Sequence, residues 1–164
     1  MKLDPATATF LGTGVSLDAG IVHPSGDPIT VRAWGARPND DGTTVRVLLP
    51  TDDPDTVEHV HPGGLIALVA SDVITFRSIQ LKGRVVAHEP ESEADEALHT
   101  AYVDAFAAAV QEADGTPESL VRRLVPAGRA AVTFTVEQAF DQTPGPGAGG
   151  RLEPGPTDGP RQRA

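Results

Sequence analysis

Apolar and polar residues alternate at a period of two through much of the chain, and at three to four residues in one late stretch. The period-two segments predict strands. They are Val15–Val22, Ile29–Arg37, Thr43–Leu49, a continuous apolar run Leu65–Ala70, Thr75–His88, and Gly128–Val136. The fifth reads as one long strand or as two interrupted at Gly83. In the second, Ile29, Val31, Ala33 and Gly35 fall on one face, and Thr30, Arg32, Trp34 and Ala36 on the other. His23–Pro24–Ser25–Gly26–Asp27–Pro28 and Pro38–Asn39–Asp40–Asp41–Gly42 are turn clusters, the second a hairpin loop.

Three stretches predict helices before residue 115. Asp4–Leu11 opens with Asp as N-cap and Pro5 in the first helical position. A short helix starts at Asp52–Asp53–Pro54 and stops before Pro62–Gly63–Gly64. Glu91–Ala113 is the clearest: Leu98, Ala101, Tyr102, Ala105, Phe106, Ala109 and Val110 recur on one face, behind an acidic first turn that suits the helix dipole. Gly115–Thr116–Pro117–Glu118 ends it and starts a second, Ser119–Val125. Six strands with a late helical pair predict a mainly β protein with some α: a barrel or sandwich with helices over one opening or face. The predicted domain spans residues 1–142. Residues 143–164 form a Pro/Gly-rich segment, expected to be disordered after about 150.

The 164 residues suffice for one core without staples. With no cysteine there is no disulfide, thiolate nucleophile or thiolate metal site. The net charge of −10 disfavours nucleic acid and anionic membranes as partners. No apolar run reaches the length of a membrane span and no basic leader opens the chain, so a cytoplasmic location is expected. The basic residues are nearly all arginine, only Lys2 and Lys82 being lysine.

No nucleophile elbow, phosphate loop or zinc-helix motif is present, and Gly12–Thr13–Gly14 does not complete a dinucleotide fingerprint. His59 and His61 are the only close histidines. They read as the end of a short helix beside Pro62, so no metal site is expected; His88 and His99 read as surface residues. Asp40–Asp41, Asp52–Asp53 and the run from Glu91 to Glu96 sit in turns and helix starts, where carboxylates cap and solvate. Two places put basic or amide side chains inside apolar strands. Arg32 and Arg37 bracket Ala33–Trp34–Gly35–Ala36, and they can share a side only if the strand bends or ends near Gly35. Ser78, Gln80 and Lys82 form a polar stripe opposite Ile79 and Leu81, which faces either solvent or a ligand groove.

Phe76–Gly83, with its ending Leu81–Lys82–Gly83, resembles the central strand of the pyridoxamine 5'-phosphate oxidase-like, FMN-binding split-barrel superfamily. Arg32 to Arg37 resembles that family's strand of Arg, four residues, then Lys, and Phe140–Gly149 resembles the ending of bacterial members. The order of elements agrees over residues 4–150. The resemblance implies a six-stranded antiparallel split β-barrel, paired as a homodimer, with FMN in a groove at the interface. It implies that Arg32 and Arg37 hold the phosphate, that Ser78, Gln80 and Lys82 contact the ribityl chain or ring, and that the protein is a flavin-dependent oxidoreductase of an unknown small substrate. Where the oxidases carry a Ser-Arg-Lys phosphate clamp, this chain reads Leu49–Pro50–Thr51–Asp52–Asp53–Pro54–Asp55–Thr56. Acidic residues there repel a phosphate. That departure favours the alternative of a dimeric split barrel that binds a non-flavin ligand (haem, deazaflavin or another) without oxidase activity.

Overall fold

The structure, a computed structural model, describes residues 1–52 and 54–155, with the backbone alone at 55 and 57. Asp53 and the segment 156–164, which includes most of the expected disordered tail, lie outside the described residues. In chain order the elements are α1 (Pro5–Phe10), β1 (Ser16–Val22), β2 (Pro28–Arg32), β3 (Ala36–Pro38), β4 (Thr44–Pro50), α2 (Pro54–His59), β5 (Leu65–Ser71), β6 (Ser78–Pro90), α3 (Glu93–Asp114), α4 (Glu118–Arg123) and β7 (Arg129–Asp141).

Among the described residues seven strands, not six, form one antiparallel sheet in the order β2-β1-β5-β6-β7-β4-β3. The extra strand arises because the expected strand 29–37 is broken in two. Its first half pairs with β1 and its second with β4, at opposite ends of the sheet. The link between them is hydrogen-bonded to both neighbours: Ala33 N donates to Leu17 O at 2.9 Å, Trp34 N to Leu48 O at 2.8 Å, and Leu48 N to Gly35 O at 2.9 Å. One segment thus forms both ends of the sheet and ties them together. Gly35 makes the change of partner possible. Its φ is 144°, and a Cβ there would lie 3.1 Å from a Leu48 methyl. The expected two-face alternation fails at this point: Ala33, Trp34, Gly35 and Ala36 are all buried in succession.

The inner face supplies the core. Leu17, Ala19 and Ile21 of β1, Leu68 of β5, Leu81 and Val85 of β6, Val45 and Val47 of β4, and Phe134 and Val136 of β7 are almost fully enclosed. Each large aliphatic side chain taken from water contributes about 1.5–3 kcal/mol. β6 runs unbroken through Gly83, where the sequence allowed an interruption, and absorbs the irregularity as a register shift at Lys82/Gly83. A Cβ at Gly83 would sit 1.6 Å from the Thr135 carbonyl oxygen, so the close approach of β7 requires glycine.

α3 closes one end of the sheet. It starts in a reciprocal capping box between Ser92 and Asp95 and ends at Gly115 in the left-handed conformation, φ 79°. Three contacts fix it to the strands. Tyr102 Oη donates to Val15 O at 3.0 Å, His99 Nδ1–H donates to Trp34 O at 2.9 Å, and Asp95 accepts two bonds from Arg46 of β4, at 2.7 and 2.8 Å. His99 is therefore a buried residue rather than a surface one: it satisfies a carbonyl of the link, which has left the regular strand ladder. β7 runs five residues beyond its expected end, and the described part of the Pro/Gly segment after it is held against the fold. Arg151 bridges Phe140, Leu152 N donates to Ala139 O at 2.8 Å, and Gly155 N donates to Lys2 O at 2.9 Å.

Candidate functional site

The two arginines lie on either side of the Gly35 bend and do not converge. Arg32, at the end of β2, is opposite Asp18 of β1. Its guanidinium lies over two aromatic rings, with its central carbon 4.5 Å from the Phe106 centroid and 5.4 Å from that of Trp34. Nη1 donates to Ser16 Oγ at 3.2 Å; Nη2 is buried with no acceptor in hydrogen-bond geometry, while the guanidinium acts electrostatically on the Tyr102 hydroxyl. Arg37, in β3, is opposite Arg46 of β4, has its side chain half exposed, and lies 3.8 Å from Asp95. The two arginines line different hollows of the surface.

Arg46 and Asp95 form the strongest electrostatic cluster. The Asp95 side chain is wholly enclosed. The Arg46 guanidinium, followed by the Ser92 hydroxyl and amide, holds its carboxyl far below the usual carboxylate range. The hollow beside it, about 390 Å³, is lined by Arg37, Asn39, Asp40, Arg46 and Thr133. Arg46 also donates to Glu89 at 2.8 Å, so its charge is already matched, and this cluster holds α3 to β4 rather than receiving an anion.

The stripe Ser78, Gln80, Lys82 divides. Ser78 is buried at the start of β6, where its Oγ lies within hydrogen-bond distance of Ser71 Oγ, 2.8 Å, and of Phe76 O, 3.1 Å; it holds the β5–β6 hairpin together. Gln80 and Lys82 point to the outer face. Gln80 Oε1 accepts from Gln142 Nε2 at 3.2 Å, and Lys82 Nζ lies 4.9 Å from the Phe140 ring centre.

Pairing registers place the outer-face residues in cross-strand rows. One row reads Thr30, Gly20, Ala67, Lys82, Gln138 across β2, β1, β5, β6 and β7. The next reads Arg32, Asp18, Val69, Gln80, Phe140. Gly20 and Ala67, the smallest residues of the first row, leave a trough between larger neighbours. A groove of about 410 Å³ follows it, lined by those two with Ile29, Leu65, Lys82 and Gln138, among others. Glu137, also on its wall, sits at the shift in register between β6 and β7. The position of Arg32 in the second row is three strand spacings from Gln80, roughly 14 Å, and its guanidinium is turned away toward α3. Sequence reasoning named Lys82 but missed Gly20 and Ala67. Small residues at alternate positions of neighbouring strands are the signal, and it becomes visible only once the register is known.

FMN needs convergent cationic or amide donors around its phosphate. The groove's one cation is Lys82, with Glu137 on the same wall, and the two arginines expected to hold the phosphate lie outside it, on either side of the Gly35 bend. The residues lining the groove do not by themselves supply a cluster of cations for the FMN phosphate.

The His59 ring is tilted against that of His23, ring centroids 4.7 Å apart. No group of three or more metal-ligating side chains occurs among the described residues, and none of the described helices is long and apolar enough to cross a membrane.

This antiparallel sheet, joined at its ends through a single segment, is similar in fold to two solved structures. HupZ of Group A Streptococcus aligns at TM-score 0.54 and 18% identity, over 90% of this chain and 99% of that one. A candidate pyridoxamine 5'-phosphate oxidase from Lactobacillus delbrueckii aligns at TM-score 0.52 and 16% identity, over 85% of this chain and 93% of that one. At these identities what is shared is the fold. No protein-family model and no curated protein matches the sequence.

Proposed function

We propose that this chain is a split-barrel ligand-binding module rather than an FMN oxidoreductase. In this reading a flat, mostly apolar ligand bearing one anionic group lies in the outer-face trough. The ligand's body rests on Gly20 and Ala67, and its anionic group meets Lys82. The observation that carries the reading is the separation of Arg32 from Arg37 by the Gly35 bend, which leaves one lysine as the groove's cation. A second copy of the chain covers the open side of the groove. Leu65 and Val86, both about half exposed on this face, support that arrangement because they gain from being covered.

The test uses the purified chain and two probes. 1-Anilinonaphthalene-8-sulfonate, which is flat, apolar and anionic, is expected to occupy one saturable site per chain in the trough. Ala67→Trp, which fills the trough from an outward position, should remove that site, whatever probe binds beside Trp34 and α4, while leaving the thermal melt unchanged. FMN titrated against the same protein should show no saturable quenching of its fluorescence. Quenching that saturates in the micromolar range and weakens in Arg32→Ala would overturn the reading and restore a flavin site. Probe binding indifferent to Ala67→Trp would place the ligand elsewhere. Sedimentation as a 17.1 kDa monomer at micromolar concentration would remove the second copy.

A further inference from the structure

A separate cavity of about 440 Å³ lies between α3, α4 and the link residue Trp34, away from the trough. Its wall is almost entirely apolar: Trp34, Phe106, Val110, Leu120, Val121 and Leu124. Leu120 and Leu124 are 47% and 71% exposed, unusual for leucines on one short helix. The polar groups on this wall include two arginines, Arg32 and Arg123. Arg32 Nη2 is the one buried side-chain nitrogen or oxygen without a hydrogen-bond partner among the described residues. The Arg32 guanidinium acts on the Tyr102 hydroxyl beside it, and its charge has no carboxylate partner within ion-pair distance among the described residues. Arg123 has no ion-pair partner among the described residues, in a chain whose net charge is −10.

We infer that this cavity binds an amphipathic carboxylate, such as a medium-chain fatty acid. Its carboxylate lies between Arg32 and Arg123, both of which line the cavity. Its alkyl chain lies along Trp34, Phe106 and Val110, and covers Leu120 and Leu124. The volume falls within the range of small-molecule sites. The aromatic pair around Arg32 holds the guanidinium in place before the ligand arrives, so little side-chain order is lost on binding.

Trp34 is the only tryptophan in the chain and lines the cavity, so its fluorescence reports occupancy directly. Titration with decanoate should give a saturable change in that emission, confirmed by calorimetry at one molecule per chain. Affinity should rise two- to fourfold for each added methylene from octanoate to decanoate, and decan-1-ol should bind at least tenfold more weakly than decanoate. Leu124→Asp and Arg123→Glu both change exposed positions, at the C-cap and the last residue of α4. Each should weaken decanoate by tenfold or more with an unchanged melting temperature. No saturable signal up to millimolar decanoate refutes the proposal. So does equal binding of the alcohol, which would show that the arginines do not read the head group. Unchanged decanoate binding in both variants would refute it as well.

Discussion

Removing the Asp95 carboxylate should detach α3 from the sheet at one of its three fixed points. In Asp95→Ala, Arg46 loses a bidentate partner at 2.7 and 2.8 Å, and the Ser92 capping box loses its reciprocal half. Breaking a buried pair by deleting one member costs about 3–5 kcal/mol, and loss of a cap adds about 1. Arg46 keeps Glu89, whose side chain is 56% exposed, which moderates the loss. We expect a net cost of about 4 kcal/mol, equivalent to a fall in melting temperature of roughly 10 °C for a domain of this size. The pH dependence follows from the direction of the shift. Asp95 is held below its ordinary value by Arg46 first and Ser92 next, so its contribution is complete above the unfolded pKa of about 3.9 and is lost as pH falls through the lowered value. Denaturant melts of the native chain and the variant should therefore differ equally at pH 7 and pH 5, and the gap should close below pH 4. Adding Arg46→Met to Asp95→Ala should recover part of the loss, because it removes the stranded cation. A cost under 1 kcal/mol at pH 7, or a gap that widens on acidification, would refute this account of how α3 is held.

Four further expectations concern the backbone and core. Gly83→Ala should cost at least about 3 kcal/mol or prevent soluble expression, since the new methyl meets the Thr135 carbonyl oxygen at 1.6 Å; a thermal melt within 2 °C of the native chain would show that β7 moves aside at little cost. Tyr102→Phe should lose about 1–2 kcal/mol by denaturant melt, because the Val15 carbonyl is left without its donor in a buried site. The same burial pushes the Tyr102 hydroxyl up to about 12, so no tyrosinate absorbance should appear until near that pH in the folded chain. Phe76 is 65% exposed with φ of 61°, so Phe76→Asn should raise stability by up to about 1 kcal/mol through relief of a left-handed backbone that asparagine tolerates.

Much of the scaffold was legible in local pattern. α3 was expected at 91–113 and runs 93–114, because its apolar positions recur over many turns and both ends carry cap residues. The broken strand was not legible. Ile29–Arg37 alternates well enough to read as continuous, and only the tertiary need to join two sheet ends makes Gly35 a corner. The end of β7 was missed because the register shift near Glu137 interrupts the alternation that marks a strand. Long-range pairing hid the rest. Arg46 and Asp95 are 49 residues apart, and His99 looks like an exposed helix position until the Trp34 carbonyl appears beneath it. At the candidate site, Lys82 was visible as a cation in an apolar strand. The fates of Arg32 and Arg37 were not, since each depends on which side of Gly35 its strand continues.

That corner also bears on solubility. The segment 28–38 supplies both terminal strands, so each rim that another chain could extend is only five or three residues long, and each contains a proline, Pro28 or Pro38, that brings no amide hydrogen to a ladder. A polypeptide trying to add itself to this protein side by side would find too short a template to propagate, which leaves the faces, rather than the borders, as the surfaces through which copies can associate.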